Sequence, residues 1–237
     1  MSKKTGKKAD KNNENDPYRE TRQAVLAAAL PNVAFDSWSQ KLLDDAIAAA
    51  AVDSSMALLA FPQGVDNLIA AFSAAGDAAM LAALPKPDDL KVRERITEAV
   101  WQRLLVDTET IEAARRAAAY LSVPGRQKLA ADLLFATAHH MWRWAGDEAT
   151  DYNYYSKRII LSGVIASTRL YWFDDDSEDF TKTRGFLARR IDNVMQFEKV
   201  KAKARGWSEK LHGDKAPLDG LIGALAKMRY RQKPAKN

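Results

Sequence analysis

Between Arg19 and Gly206, apolar residues recur three and four positions apart, the period of a helix, and strand-like alternation is almost absent. The pattern predicts a succession of helices. Arg19 to Leu30 comes first, stopped near Pro31, with Val25, Leu26 and Ala29 inward. Phe35 and Trp38 fall in a link. Asp36 or Ser37 is placed to cap a second helix, which runs to about Ala50 with Leu42, Leu43 and Ile47 inward. Val52 to Ser55 reads as a turn, Met56 to Phe61 as a short helix ended by Pro62-Gln63-Gly64, and Asp66 to Leu84 as a long one. A hinge at residues 85–89 offers Asp88 or Asp89 as a cap. Beyond it lie a helix from Leu90 to Leu105, another from Asp107 or Thr108 to Leu121, and a long one from Gln127 to Ala145. Ser177 is placed to cap the last long helix of the body, lined by Phe180, Thr183, Leu187, Ile191, Val194 and Met195.

One stretch organises the rest, from Gly146 to Phe180. An acidic turn leads into Tyr152, Tyr154 and Tyr155, then Lys157 and Arg158, then a mostly apolar run from Ile159 to Thr168, then Tyr171-Trp172-Phe173 and Asp174-Asp175-Asp176. As one helix from Asp151 to about Tyr171 it makes roughly five to six turns. Its first turns carry polar aromatics suited to a partner surface, and its later turns are apolar on most faces, as in a buried central helix.

Composition agrees with an all-α fold: 47% of the 237 residues are apolar, enough for one large core or a main domain with a small appendage. There is no cysteine, which excludes disulfides and thiolate metal sites. No uncharged apolar run approaches the ~18 residues of a membrane span, and the lysines near Met1 have no apolar segment behind them, so neither a span nor a targeting signal is expected. The expected location is cytoplasmic, peripheral on the inner face of the membrane. The net charge of +5 divides unevenly. Residues 1–16 carry five lysines against three acids, and residues 199–237 carry eleven Lys and Arg against three acids, leaving the body between them acidic.

The chain divides into four parts. Residues 1–16 are a basic tail without a core and are expected to be disordered. Residues 17–84 form a subdomain whose order, helix, helix, turn, short helix, Phe61-Pro62, long helix, resembles the helix-turn-helix unit of TetR-type regulators. Its chemistry departs from that of a DNA reader. Leu42 to Pro85 contains no Lys or Arg and holds Asp44, Asp45, Asp53, Asp66 and Asp77, whereas DNA binding rests on cations for phosphates and on Arg for base edges. No nucleic-acid partner is expected. Residues 85–206 are expected to form a helical domain. Residues 207–237 are a linker and an amphipathic helix whose Leu218, Leu221, Ile222, Leu225 and Met228 share one face, with Lys227, Arg229 and Arg231 at its end. Two readings of that segment stand: an interfacial membrane anchor, or an apolar face docked on the body.

The strings ALPNVAFDSWS, AFPQGVDNLIAAF, KVRERI, AGDEATDYNYYSKRIILSGV and FLARRIDNVMQFEK, spread from about Arg22 to Lys203, closely resemble the ubiquinone-biosynthesis accessory family called Coq-nine. The resemblance implies a TetR-like helical dimer that does not regulate genes. It implies binding of lipid, including isoprenoid quinone intermediates, and assistance to the di-iron hydroxylase that acts on demethoxy-quinone. It also implies a C-terminal helix that touches membranes and a hydroxylase-facing patch that falls, by motif position, on Asp151, Tyr154, Tyr155 and Arg158. The first aromatic of that patch can be Trp in relatives and is Tyr154 here.

Catalytic signals are absent from the sequence. The histidines are His139, His140 and His212. A di-iron bundle needs carboxylates from two helices and two Glu-x-x-His motifs, and Glu209 to His212 supplies that spacing once, in the tail. No P-loop, dinucleotide fingerprint or nucleophile–base pairing appears, so no catalytic residue, cofactor or metal is expected. Asp174 to Asp176 reads as a capping loop. Helical phase places an apolar cavity among the central helices, bordered by Leu134, Ala138, Met141, Trp142, Leu161 and Ile165. The expected function is that of a non-enzymatic lipid-binding accessory protein. A TetR-like ligand-sensing repressor is the alternative, and an enzyme acting on a ring substrate a weaker third.

Overall fold

The structure, a computed structural model, describes residues 16–87, 90–148 and 152–194, with only the backbone at 152 and 153. Both tails, and with them Leu218, Leu221, Ile222, Leu225, Lys227, Met228 and Arg229, lie outside the described residues, as do Asp88, Asp89, Asp151 and Met195. The residues up to Ile191 group into one unit, and a second begins at Asp192.

All regular elements among the described residues are helical. They are α1 (Arg19–Ala29), a 3-10 turn (Leu30–Asn32), α2 (Val33–Asp36), α3 (Gln40–Ala49), α4 (Ser54–Ala60), α5 (Val65–Ala83) and α6 (Val92–Leu105). A second 3-10 turn (Thr108–Thr110) leads to α7 (Ile111–Ser122), α8 (Gln127–Trp144) and α9 (Tyr152–Phe173). A third (Glu178–Phe180) precedes α10, residues 181–194.

Pro31 does not end the helical path. It occupies the first turn of the 3-10 segment, where its missing N–H costs nothing, and α2 follows directly. The break comes at Ser37, whose φ of 54° lies in the left-handed region. The cap expected at Asp36 or Ser37 is Ser39 instead: its hydroxyl accepts from the Leu42 N–H at 3.1 Å. Trp38 is buried, donates from Nε1 to the Ala113 carbonyl (3.0 Å) and packs against Phe72, whereas Phe35 is 85% exposed. Asp53 caps α4 through the N–H groups of Ser55 and Met56, and Arg22 of α1 donates to the carbonyl of Ala60 at the helix's end.

Helix α4 stands where a helix-turn-helix protein presents its reading residues. It exposes Met56, Leu58 and Leu59 and buries Ala57 and Ala60. Its exposed polar side chains are Ser54 and Ser55 at its start, and it carries no cation to pair with a phosphate.

Helix α5 is the spine, packed by α1, α6 and α8. By length and composition alone it could cross a membrane. Here Leu68, Ile69, Phe72 and Met80 enter the core, and Asp77 is buried in an ion pair. Helices α8 and α9 pack along each other, and α6 is tied to the end of α8 by Arg95, which donates to the Ala145 carbonyl at 3.0 Å.

The link from α9 to α10 is held by Asp175. Its carboxylate accepts from the N–H and hydroxyl of Ser177 (2.9 and 2.5 Å) and of Thr183 (2.7 and 2.5 Å). Burial alone would raise its pKa, but these four bonds outweigh it and hold the carboxyl well below the usual carboxylate range. The cap therefore rests on Asp175 with Ser177, whose hydroxyl accepts from the Lys182 N–H, while Asp176 pairs with Lys182 and Asp174 with Arg115. Asp175→Ala is expected to cost about 1–2 kcal/mol, as loss of a strong cap does. Because the folded pKa is the lower one, the stabilisation is complete above the unfolded carboxylate's pKa of about 4 and fades as pH falls toward the folded value. Denaturant titrations of wild type and variant should converge in acid and separate at neutral pH.

Candidate functional site

Helices α5 to α9 leave a cavity of about 260 Å³ between them. Its walls are apolar: Ile69 and Phe72 from α5, Ala117, Ala118 and Leu121 from α7, Leu133 and Leu134 from α8, and Ile165, Ala166, Leu170 and Phe173 from α9. It reaches the surface beside Ser122 and Leu170, both exposed, and runs inward to Arg103 and Thr137, both buried. Small side chains on α7 make the space: Ala114 and Ala117 let that helix approach closely, and Ala118 leaves room where a larger residue would fill it.

The inner end is polar. Arg103 is 2% exposed and donates from Nε to Asp77 (2.9 Å) and from Nη1 to Asp107 (2.6 Å). Asp77 also accepts from the Thr137 hydroxyl (2.9 Å) and lies 3.2 Å from His140 Nδ1. Arg169 of α9 pairs with Asp107 from the other side. Burial would lower the pKa of Arg103, and the two carboxylates raise it instead. Arg169 moves the opposite way, lowered by burial and by the neighbouring Arg103. Gly76 belongs to the same arrangement, because a Cβ there would collide with the Arg103 guanidinium.

A second network braces the start of α9. Asp147 accepts from Lys157 (2.7 Å) and from Arg158 (3.1 Å). Burial would raise its pKa, and the two cations, hydrogen-bonded to it, lower it on balance. Arg158 is 0% exposed: its Nε donates to His139 Nδ1 (3.1 Å), its Nη1 to the Tyr154 carbonyl (2.9 Å), and its guanidinium lies 3.6 Å from the Tyr154 ring centre. Tyr154 is half-buried between His139 and Phe135, and Tyr155 is 59% exposed with its ring edge-on to Tyr154.

The residues expected at the surface patch therefore separate. Tyr155 faces outward, Tyr154 sits at the edge, and Arg158 stands behind them as an internal brace that does not present its charge at the surface. Arg158→Ala is expected to destabilise the fold by about 1.5–3 kcal/mol, the worth of hydrogen bonds to a charged group, measured as a shift in the denaturant midpoint. An exposed interface arginine would leave that midpoint unmoved.

Of the residues expected around a cavity, Leu134 and Ile165 line it. Ala138, Met141 and Leu161 are buried in the core elsewhere, and Trp142 is half-buried, donating from Nε1 to the Lys157 carbonyl (3.2 Å). Helical phase selected the inward faces of α8 and α9 but could not show which inward residues meet neighbours and which meet space. The polar end, Asp77, Arg103, Asp107, Thr137 and Arg169, escaped the sequence reading. One signal was present: Asp77 is a lone charge deep within an apolar helix, and Arg103 and Asp107 stand four apart. Among the described residues no group of three or more His, Cys, Asp or Glu side chains is arranged to hold a metal ion.

Residues 127–198 match the COQ9 family model. The chain is 25% identical over 234 residues to the rat (Rattus norvegicus) "Ubiquinone biosynthesis protein COQ9, mitochondrial", covering 95% of this chain and 73% of that protein. It is 27% identical to the Xenopus laevis COQ9-B protein of the same description, covering 95% of this chain and 78% of the relative. To the human (Homo sapiens) COQ9 protein it is 26% identical, covering 86% of this chain and 65% of that protein. Among solved structures, a TetR transcriptional regulator from Nitrosomonas europaea superposes with a TM-score of 0.57 at 23% identity, covering 75% of this chain and 99% of that one. The all-helical TetR-like fold expected from the sequence is thus the observed one. The resemblance read from the sequence strings holds as well: residues 127–198 carry the COQ9 family match, and similarity to curated COQ9 proteins extends over most of the chain.

Proposed function

We propose that the protein is a non-enzymatic lipid-binding accessory protein of ubiquinone biosynthesis, one that holds an isoprenoid quinone intermediate and presents it to the di-iron hydroxylase. The observation that carries the reading is the apolar cavity, open beside Leu170 and closed at a polar inner end, a shape that suits an amphiphile entering head first. A preformed apolar cavity of about 150 Å³ accommodates a benzene ring. The larger space here suits a ring with the first part of a chain, the rest of which would trail through the mouth. The names of the relatives supply the pathway. The exposed Tyr155 and Ile159 on the first turns of α9, beside the half-buried Tyr154, suit a protein partner, since aromatic anchors carry much of an interface's energy. Gly163, with open space where a Cβ would be, continues that stripe and would allow close approach of a second copy in a two-fold dimer. The basic amphipathic segment at 218–231 is the membrane contact in this reading, at the inner face of the cytoplasmic membrane.

The repressor reading draws on the TetR regulator to which the fold is similar. Against it stand the cation-free window from Leu42 to Pro85 and the apolar face of α4. A gel shift at low salt with genomic fragments separates the two: specific nanomolar binding would favour the repressor. Turnover of a ring substrate by the protein alone would favour an enzyme. For the tail, Ile222→Asp should abolish flotation on anionic liposomes. Unchanged flotation would mean that this segment does not anchor the protein.

A further inference from the structure

Helix α4 inverts the usual arrangement of a surface helix. It buries two alanines, Ala57 and Ala60, and exposes every large apolar side chain it has: Leu58 at 74%, Leu59 at 55%, and Met56. Met56 and Leu59, three residues apart, are neighbours on the helix surface, and Leu58 stands beside Leu59. Single exposed leucines are ordinary, but three adjoining aliphatic side chains on a helix of seven residues form a patch. The patch is also held still. Asp53 caps the start of α4, Arg22 of α1 donates from Nε to the Ala60 carbonyl at its end (2.8 Å), and Phe61 just beyond is buried. A platform fixed in advance loses little entropy when something docks on it.

Charge narrows what docks. From Asp16 to Asp66 three cations stand against seven acids. Two of the three are already paired, Arg22 with Asp16 and Lys41 with Asp36 and Asp45. The acids that bracket the patch are exposed. Asp53, at its start, accepts from the Ser55 and Met56 N–H groups and from the Ser55 hydroxyl. Past its other end, Gln40 lies against Gly64, where a Cβ would stand 3.0 Å from the Gln40 Oε1, and Gln40 Nε2 donates to Asp44 (2.8 Å). Among the described residues no cation pairs with Asp44 or Asp53. Such a rim repels nucleic acid and an anionic bilayer, and it attracts a partner that carries cations beside an apolar stripe.

We propose that α4 is a docking site for a basic amphipathic helix of a partner protein. The aliphatic side chains of that helix cover Met56, Leu58 and Leu59, and its lysines or arginines meet Asp53 and Asp44. The site shares no residue with the exposed edge of α9. It stands whether or not the cavity holds a lipid, because it uses α1, α3 and α4 alone.

The test measures binding to the full chain of two synthetic helical peptides of about 18 residues, long enough to form a helix. Both carry leucines on one face, and one carries lysines and the other glutamates on the opposite face. The lysine peptide should bind at least about tenfold more tightly than the glutamate peptide, and its affinity should fall as salt is raised. Leu58→Ser combined with Leu59→Ser should cut that affinity about tenfold or more at an unchanged melting temperature, since both side chains are exposed. Asp44→Asn combined with Asp53→Asn, which keeps a capping side chain on α4, should cut it about fivefold and flatten the salt dependence. Unchanged affinity in the double leucine variant would overturn the inference by placing the peptide elsewhere. Equal or tighter binding of the glutamate peptide, or no binding of either, would overturn it too. The same variant reads out two other occupants. A dimer in sedimentation that dissociates on the leucine substitutions would overturn the inference in favour of a second copy. Flotation on phosphatidylcholine vesicles that is lost with them would overturn it in favour of a bilayer.

Discussion

Arg103→Met is expected to destabilise the protein by about 3–5 kcal/mol, because it leaves two carboxylates buried with a cation missing between them. Asp77 and Asp107 are both 2% exposed, and their remaining partners, Thr137, His140 and Arg169, supply less charge than the pair requires. For a domain of this size each kcal/mol moves the melting temperature by roughly 2–4 °C, so thermal unfolding should shift by about 6–20 °C. Arg103→Met combined with Asp77→Leu should recover part of the loss, since removing both partners leaves fewer stranded charges than removing one. Gly76→Ala tests the same cluster from the other side. On an exposed helix the change would gain about 1 kcal/mol, and here the collision with the Arg103 guanidinium should reverse the sign. A stabilised Gly76→Ala variant would show that the guanidinium is not held where the ion pairs place it.

The second large effect is on binding. Ala166 is half-buried and lines the cavity from α9. Ala166→Phe would put a ring into a space of about 260 Å³, leaving little room for a ligand's own. Co-purified lipid should fall tenfold or more, with the melting temperature held within a few degrees because the ring fills space and does not displace packed side chains. Undiminished lipid in a well-folded Ala166→Phe variant would place the lipid somewhere other than this cavity.

Much of the fold was legible in the chain because helices announce themselves by period. Val25, Leu26 and Ala29 recur at the spacing that buries one face and are buried, and of the stripe Val92, Ile96, Val100 and Trp101 all are buried but Val92, the first residue of its helix, which is exposed. Helix ends were less legible. Ser39 caps α3 where Asp36 or Ser37 was expected, because a proline can open a 3-10 turn as readily as it ends a helix. Capping by Asp175 at the α9–α10 link depends on Thr183, eight residues along, a relation that no local pattern encodes. Arg158 shows the limit for sites. Beside Tyr154 and Tyr155 in the sequence it reads as part of one exposed patch, yet it shares the half-buried flank of Tyr154, four residues before it, and Asp147 and His139 receive it inside. Most of the cavity's lining escaped for a related reason. Periodicity identifies an inward face, but whether Leu134 meets a neighbour or a void depends on the size of Ala117 and Ala118 across from it, on another helix.

The identity of whatever the cavity holds tests the central claim most directly. The full-length protein, purified from a host that makes isoprenoid quinones, should be examined intact by native mass spectrometry and, after solvent extraction, by lipid analysis. A bound prenylated quinone or a precursor of one, lost in the Ala166→Phe variant, is the expected result. Protein that is repeatedly empty, or that carries lipid equally well with the cavity filled, would contradict the account.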